Sequence, residues 1–399
     1  MNSVEGVLVA GGGVVGLTAA LSLAQRGVPV TVFEAEPELV KEYRASTFHP
    51  PTLEMLNDLD IAEELISKGL VADRVQYRNR TEGVIAEFDL GLLKNDTPYP
   101  FRLQIEQYAL ALLLLEKLRQ LPNAEVLFTH RVTDVSQEND SIIATAETAH
   151  GVQQYQASYL VGADGGRSAV RNALDIGFEG LTYPERYLIT FTTFDFDAHM
   201  PDLTHVNYVS DPEEWFVLLR SPGLWRVLFP ARPDEAEATG EALDKIAQAR
   251  YQRVIATAVP YPILYRAIYT VHQRIASTYR KGRALLAGDA AHLNNPLGGM
   301  GLNGGIHDAV NLGGKLAKVW HGEAGEEALD TYAEGRRKIA AEHVLAHTHQ
   351  NHSNISQTDR EARKRQQDEM KKTAADPESA YRYVLRISMI ESIRAASGV

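Results

Sequence analysis

The stretch Val7-Leu8-Val9-Ala10-Gly11-Gly12-Gly13-Val14-Val15-Gly16 constrains this 399-residue chain more than any other segment. A short apolar run without polar alternation suits a strand buried on both faces. The glycines that follow are spaced G-x-G-x-x-G. Gly11 permits a tight turn, Gly13 lets a diphosphate approach the backbone, and Gly16 lets the next helix pack closely on the strand. Residues 17–25 read as an Ala/Leu-rich helix, Gly27 suits its end, and Val30-Thr31-Val32-Phe33 reads as the next buried strand. The helix N-terminus offers free N–H groups and a positive dipole end to phosphates. Glu34 closes the second strand, about 20 residues on, placed to accept hydrogen bonds from a ribose. The unit implies dinucleotide binding but does not by itself separate FAD from NAD.

Further along, residues 50–68 suggest two helical pieces and residues 104–119 a strong helix ended by Leu121-Pro122-Asn123. Strand-like runs follow near 126–128, 131–135, 142–147 and 155–161. Aromatic and β-branched runs at 187–196, 205–209, 215–219 and 225–229 predict an antiparallel sheet. A buried strand at 283–287 and a helix at 304–320 then complete the first unit, and the remainder reads as mostly helical. No internal repeat interrupts this order.

Composition removes several function classes. Lys and Arg total 40 against 52 Asp and Glu, a formal net charge of -12, which argues against a nucleic-acid binder and against docking on anionic lipid. There is no cysteine, so disulfides, thiolate metal sites and a cysteine nucleophile are excluded. The N-terminal residues lack a signal-peptide pattern, and the longest apolar runs, such as residues 109–115, are too short to span a bilayer. A cytoplasmic protein with no membrane partner is expected. His343, His347, His349 and His352 invite a metal reading, but only His343 and His347 have helical i,i+4 spacing and no H-E-x-x-H surrounds them, so no metal is expected. There is no G-x-S-x-G elbow, and the mixed segment Arg360-Glu361-Ala362-Arg363-Lys364-Arg365 reads as a solvated helix face.

Two later motifs carry more. Tyr159-Leu160-Val161-Gly162-Ala163-Asp164-Gly165-Gly166-Arg167-Ser168 follows a strand and precedes a short helix. Leu285-Leu286-Ala287-Gly288-Asp289-Ala290-Ala291-His292 is followed by Pro296-Leu297-Gly298-Gly299-Met300-Gly301-Leu302-Asn303. Asp289 leaves the end of a buried strand, where a carboxylate accepts from ribityl hydroxyls. The glycines bring bare backbone up to a flat ring, and the helix start beyond them suits the edge where negative charge appears on reduction. Together with the first glycine loop these segments resemble the single-component, class A flavoprotein aromatic monooxygenases of the p-hydroxybenzoate hydroxylase type. The resemblance covers essentially residues 5–350.

That resemblance implies an α/β fold: a Rossmann-like FAD-binding domain with an inserted antiparallel-sheet substrate domain and C-terminal helices. Residues 1–72, 101–178 and 273–350 would form the discontinuous FAD domain, 73–100 and 179–272 the substrate domain, and 351–399 a helical tail. It implies bound FAD, NADH or NADPH as co-substrate, O2, and hydroxylation of a small phenol, hydroxybenzoate or hydroxypyridine through a flavin C4a-hydroperoxide. Residue by residue, Gly11, Gly13 and Gly16 would hold the diphosphate, and Glu34 the adenosine ribose. The Val132 backbone would touch adenine, and Arg44 would lie near flavin and diphosphate. Gln107 would stand beside the flavin, with Gln104 close enough to compete. Asp164 would serve both nucleotides and Asp289 the ribityl chain. Gly301, Leu302 and Asn303 would meet the pyrimidine edge, and Pro296 would sit beside the ring. Relatives often carry two prolines and Gly-Gln-Gly where this chain has Asn294-Asn295-Pro296 and Gly299-Met300-Gly301.

For the substrate side, Arg220 and Arg226 are candidates to meet a carboxylate or phenolate, and His205 and Tyr208 to assist phenol deprotonation; no general base stands out. Trp215, Phe216, Trp225 and Phe229 are expected in the sheet core. The alternatives are a related flavoprotein doing non-hydroxylating redox work (a reductase or epoxidase) and a flavin-binding regulatory protein. Halogenation is disfavoured because no W-x-W-x-I-P motif is present. The chain would act as a monomer or homodimer.

Overall fold

The computed structural model describes residues 2–41, 45–138, 140–211, 213–345, 348, 355–357 and 359–397. The buried runs read from the sequence form a parallel sheet. Strand β1 (Val7–Ala10) leads through the glycine turn into helix α1 (Val14–Ala24), and β2 (Val30–Phe33) returns beside β1 in register, Val7 opposite Val30. This strand–helix–strand unit is completed much later in the chain. Strands β4 (Ala124–Leu127), β5 (Tyr159–Gly162) and β11 (Ala284–Leu286) join in the order β11-β5-β1-β2-β4, with the short antiparallel strand Arg280–Lys281 at one edge. Every residue of β1 and β5 is buried, which is why these strands are apolar without alternation. Helix α1 packs between the sheet, helix α2 (Gln107–Arg119) and helix α3 (Met300–Trp320).

An eight-stranded sheet builds the other half. It runs from the edge strand His292–Leu293 through β10 (Ile263–Ala276), β6 (Phe178–Thr192), β9 (Leu224–Ala231), β8 (Phe216–Ser221), β7 (Val206–Ser210) and β3 (Arg74–Asn79) to Gly83–Asp89. All neighbours are antiparallel except β7 and β3. Side chains alternate between its faces. Trp225, Val227 and Phe229 turn toward helix Gly240–Val254 and pack with Phe216, Leu218 and Tyr251. Leu228, Val217, Tyr208, Val206, Ile189 and Phe191 turn the other way, forming a second apolar layer with Tyr187 and Trp215. All four aromatic residues expected in the sheet core lie there.

The sequence reading needs adjustment in three places. The run at 155–161 is two strands in two different sheets. Gly151–Ala157 belongs to a meander with Ser141–Thr148 and His130–Glu138, and the chain turns at Ser158, whose N–H donates to the Gly6 carbonyl, before entering β5. The strong helix begins at Gln107, because Arg102–Gln104 forms a strand between Thr47–Phe48 and Leu70–Ala72. Strands β6 and β10 run straight through the boundaries expected at 178/179 and 272/273, so the two halves are sewn together by continuous strands. Beyond these, helices α4 (Arg360–Ala375) and α5 (Pro377–Ile387) pack on the strands and turn of the β3 side of the large sheet.

Candidate active site

A cavity of about 350 Å³ lies where the C-terminal ends of the parallel strands meet the apolar face of the large sheet. A smaller one of about 170 Å³ continues it past Gly12, Gly13 and Val14 to Glu34, Leu39 and Val40. Gly13, Val14 and Gln107 line both, so the two form one elongated slot.

The slot's nucleotide end is built by backbone. Gly11 holds φ +104, and a Cβ there would lie 2.4 Å from the Ala163 carbonyl oxygen, so only glycine allows β1 and the Ala163-Asp164 turn to approach this closely. Gly16 is tighter still: its Cβ would lie 1.9 Å from the Gly11 oxygen. Gly13 is different. No protein atom lies within 4 Å of a Cβ placed on it; the space beside it is cavity. Glu34 accepts from the Gly12 N–H at 2.7 Å and from the Glu36 N–H at 2.9 Å, which fixes its carboxylate at the mouth with lone pairs to spare.

At the other end the N-terminus of α3 points into the cavity. Gly299 caps it in the left-handed region (φ +68), and Gly301 and Leu302 line the wall with Pro296, Gly298 and Asp289. Free N–H groups of this first turn have no partners within the helix. Asn303 behaves otherwise than its neighbours. Its side chain is wholly buried and saturated: the His49 N–H and Thr52 hydroxyl donate to its Oδ1, and its Nδ2 donates to the Thr47 and Gly299 carbonyls. It fastens α3 to helix Pro50–Asn57, which leaves only its backbone for a ligand.

Beneath this wall runs a chain of buried polar groups. Asp308 accepts from Arg336, from His292 and from the Gly288 N–H. Burial alone would raise its carboxyl, but the Arg336 and His292 partners outweigh that and hold it at about 2. The network therefore anchors the Gly288–Ala290 turn that presents Asp289. His307, next to Asp308, bonds Thr52 Oγ1 at 2.8 Å; since that hydroxyl donates to Asn303, His307 Nε2 is the donor. Burial and the nearby Arg336 charge push His307 down to about 3, against the pull of Asp308.

Buried polar atoms near the slot that lack partners among the described residues include Ser46 Oγ, Arg102 Nε, Gln104 Nε2 and Asp164 Oδ1. Ser46 and Arg102 belong to residues that line the cavity, Asp164 sits between the lining residues Ala163 and Gly165, and Gln104 holds Thr47 by the hydroxyl. Burial raises the Asp164 carboxyl, opposed by hydrogen bonds from Ser168 and Val170. Unsatisfied groups around a polar slot are what a bound dinucleotide would satisfy. The residues present fit FAD.

The large sheet supplies the remaining wall. Val206, Leu219, Arg226, Phe191 and Tyr265 are successive cross-strand partners in one row, and Tyr208, Val217, Leu228 and Ile189 in the next. Val206, Tyr208, Val217, Leu219, Arg226 and Leu228 line the cavity. Arg226 is the charge in this apolar face. Burial lowers its guanidinium below the ordinary value, and the Glu106 carboxylate opposes that. Burial in turn raises Glu106, which receives the Ser221 hydroxyl and the field of Arg226.

The structure thus lines one slot with Gly13, Glu34, Gln107, Asp289, Gly301, Leu302, Pro296, Tyr208 and Arg226, while Gly11, Gly16 and Asp164 shape the turns beside it. It does not bring in His205 or Arg220. Both sit at positions of the opposite alternation. His205 bonds the Val71 carbonyl, and Arg220 pairs with Asp197 at 2.9 Å and lies over the Trp225 ring. Val132 is buried in the core of the nucleotide half and does not line the slot with its side chain. Arg44, His347, His349 and His352 lie outside the described residues, and among the described residues no cluster could hold a metal ion. No helix there is long and apolar enough to cross a membrane. The sequence reading missed Arg102, which lines the cavity while donating to the Ile387 carbonyl at the end of α5. Nothing in Arg102-Leu103-Gln104 marks it, because its partner lies 285 residues away.

Comparison with known proteins agrees with this geometry. A family profile described as an FAD binding domain matches residues 5–347. The chain is 35% identical over 348 residues to a para-nitrophenol 4-monooxygenase of Pseudomonas sp. (strain WBC-3), covering 86% of this chain and 85% of that protein. It is 33% identical over 359 residues to a 6-hydroxy-3-succinoylpyridine 3-monooxygenase of Pseudomonas putida, covering 89% and 90%. The crystal structure of p-nitrophenol 4-monooxygenase from Pseudomonas putida DLL-E4 superposes with a TM-score of 0.93 at 32% identity, over 98% of this chain and 99% of that one. Aklavinone-11 hydroxylase in complex with FAD and aklavinone gives 0.79 at 31% identity, over 89% and 70%. The chain belongs to the FAD-dependent class A aromatic monooxygenases and is a flavoprotein aromatic hydroxylase.

Proposed function

We propose that the substrate is a small single-ring aromatic carrying an ionisable hydroxyl, hydroxylated at the expense of NAD(P)H and O2. The observation that carries this reading is the buried Arg226 guanidinium, set among Val206, Val217, Leu219 and Leu228 on the wall facing Pro296 and the glycine turn. An apolar face accepts a flat ring, and a desolvated cation favours the ionised form of its hydroxyl. An ionised hydroxyl makes the ring carbons beside it electron-rich, the form that accepts an electrophilic oxygen. The relatives named for para-nitrophenol and 6-hydroxy-3-succinoylpyridine act on rings of this kind.

When bound, FAD supplies the reduction by NAD(P)H and the activation of O2. The chain holds it through the Gly11–Gly16 turn, Glu34, Asp164 and Asp289. The first turn of α3 offers N–H dipoles where negative charge collects. The apolar sheet face excludes water from the reacting ring.

The test is NAD(P)H oxidation and O2 uptake by the FAD-loaded protein across phenols, hydroxybenzoates and hydroxypyridines. Strong stimulation by one ring, with a product heavier by one oxygen atom, is expected. NAD(P)H oxidation that no hydroxylated ring stimulates would overturn the reading.

A further inference from the structure

A second, outer cavity lies beyond Tyr208 on the same face of the large sheet, between that face and helix α4. Its inner wall is Tyr208, the one residue it shares with the inner cavity. Tyr77 lies stacked on Tyr208, ring centroids 5.2 Å apart at 13°. The outer wall is Met370 with Gln366 and Gln367, all half-buried on α4, and Ile85 closes the floor.

The two tyrosines are held very differently. Tyr77 is anchored from behind, because the Tyr383 hydroxyl of α5 donates to it at 2.7 Å. Tyr208 has no hydrogen-bond partner for its hydroxyl among the described residues and keeps its place by stacking and packing. A ring that separates two cavities and is tied on neither side costs little to rotate, whereas its neighbour would have to give up a buried hydrogen bond.

We propose that the outer cavity is a vestibule through which the aromatic substrate reaches the flavin, with Tyr208 as the movable partition. The proposal rests on the hydroxylase reading above. The occupant follows from continuity with the substrate cavity and from chemistry: the outer side of the tyrosine pair and a thioether favour a flat ring, and the Gln367 amide, which donates to Ser210 Oγ at 3.1 Å, can exchange that bond for one to the ring's polar substituent. The cavity measures about 50 Å³, whereas a space of about 150 Å³ is known to take benzene. The ring therefore passes only as Tyr208 turns and the unbranched Met370 and glutamine side chains shift.

A partition on an entry path has a kinetic signature that a damaged binding site lacks. Narrowing the path slows entry and exit by the same factor and leaves the dissociation constant alone. The probe is the hydroxylated ring that best stimulates the wild type, followed by stopped-flow absorbance of the bound flavin. Met370→Trp fills the outer cavity. Association and dissociation rate constants are both expected to fall about tenfold, with the dissociation constant within about twofold of wild type, against an ordinary variation among related complexes that lies mostly in dissociation. Met370→Ala should leave both at least as fast as wild type. Should Met370→Trp fail to fold with FAD, Gln367→Trp blocks the same mouth and carries the same expectation. Unchanged rate constants in a folded, FAD-loaded plug variant would overturn the vestibule, as would a raised dissociation constant with unchanged association. A wild type whose flavin no hydroxylated ring perturbs would overturn the proposed single-ring substrate class, and the vestibule with it.

Discussion

The two walls of the slot are made of different material. The nucleotide wall is backbone: glycines, strand ends and the first turn of α3, arranged by local sequence within three short motifs. The substrate wall is side chain, drawn two residues at a time from β7, β8 and β9, which come together only through sheet register. A backbone wall tolerates almost nothing at its glycines but reads the same in many sequences. A side-chain wall tolerates exchange and changes what is bound. The difference predicts that mutations on one side will separate cofactor binding from folding, while those on the other will separate substrate binding from cofactor binding.

The largest effects belong to the glycine loop, and two neighbours there should behave oppositely. A Cβ on Gly16 meets the Gly11 carbonyl at 1.9 Å, and neither backbone can yield. Gly16→Ala should fail to give soluble, folded protein. A Cβ on Gly13 meets no protein atom, and its φ of -71 suits any residue. Gly13→Ala should therefore melt as the wild type does without FAD, yet bind FAD about 10- to 100-fold more weakly, the cost of about 1–3 kcal/mol for overpacking an occupied space. Titration of flavin fluorescence against thermal melting of the apoprotein checks both. Equal loss of apoprotein stability in the two variants would erase the distinction.

The layer beneath the nucleotide wall should make that half the acid-sensitive one. His307 is held at about 3 in the fold against an ordinary 6.5. Below pH 6.5 the unfolded chain takes up a proton that the folded chain refuses, so stability is full above that pH and is lost as pH falls toward 3. Asp308, held at about 2 against 3.8, adds a loss in the same direction below pH 3.8. The combined effect is a few kcal/mol, and FAD release should accompany it, since Thr52 and Asn303 tie His307 to the turn that presents Gly301 and Leu302. His307→Gln keeps a donor toward Thr52 and does not titrate. Its melting temperature should vary less between pH 6.5 and 4 than that of the wild type; an unchanged slope would place the acid sensitivity elsewhere.

On the substrate wall, Arg226→Gln should lower kcat/KM for a hydroxylated ring about 10- to 100-fold, the worth of one charge-assisted hydrogen bond of about 1.5–3 kcal/mol. FAD affinity should stay as in the wild type. The activity loss should shrink as the assay pH rises past the phenol's own pKa, because a ring already ionised in solution needs less help from the cation. A loss of FAD affinity equal to the loss of kcat/KM would show that Arg226 belongs to the cofactor wall instead.

The same contrast explains what the sequence made legible. Gly11, Asp164, Asp289 and the Gly298–Gly301 turn act through the backbone at the ends of strands, and strand, turn and helix are local patterns. Asn303 shows where locality ends. Its position beside Leu302 was readable, but its side chain serves His49, Thr52 and Thr47, about 250 residues distant, and no spacing announces that. Arg102 escaped notice for the same reason. For the large sheet, alternation told which residues share a face but not which face meets the cofactor, so Arg220 and Arg226 both stood as candidates, with the resemblance favouring Arg226, until the register set them on opposite sides.

Arg220 is therefore the control, with the smallest effect expected. It pairs with Asp197, itself half exposed, and rests on the outer side of Trp225, away from the cavity. An exposed pair of this kind contributes about 0–1 kcal/mol, and the stacked guanidinium adds a similar amount. Arg220→Gln should lower the melting temperature slightly and leave kcat, KM and FAD affinity within about twofold of wild type, since the side chain lines neither cavity of the slot. Because Arg220 and Arg226 lie six residues apart on neighbouring strands of one hairpin, a general electrostatic role for positive charge in this region would make their variants alike. A role set by which face the side chain occupies makes them differ by an order of magnitude, and the ratio of their kcat/KM values measures how much of the substrate wall's selectivity is register alone.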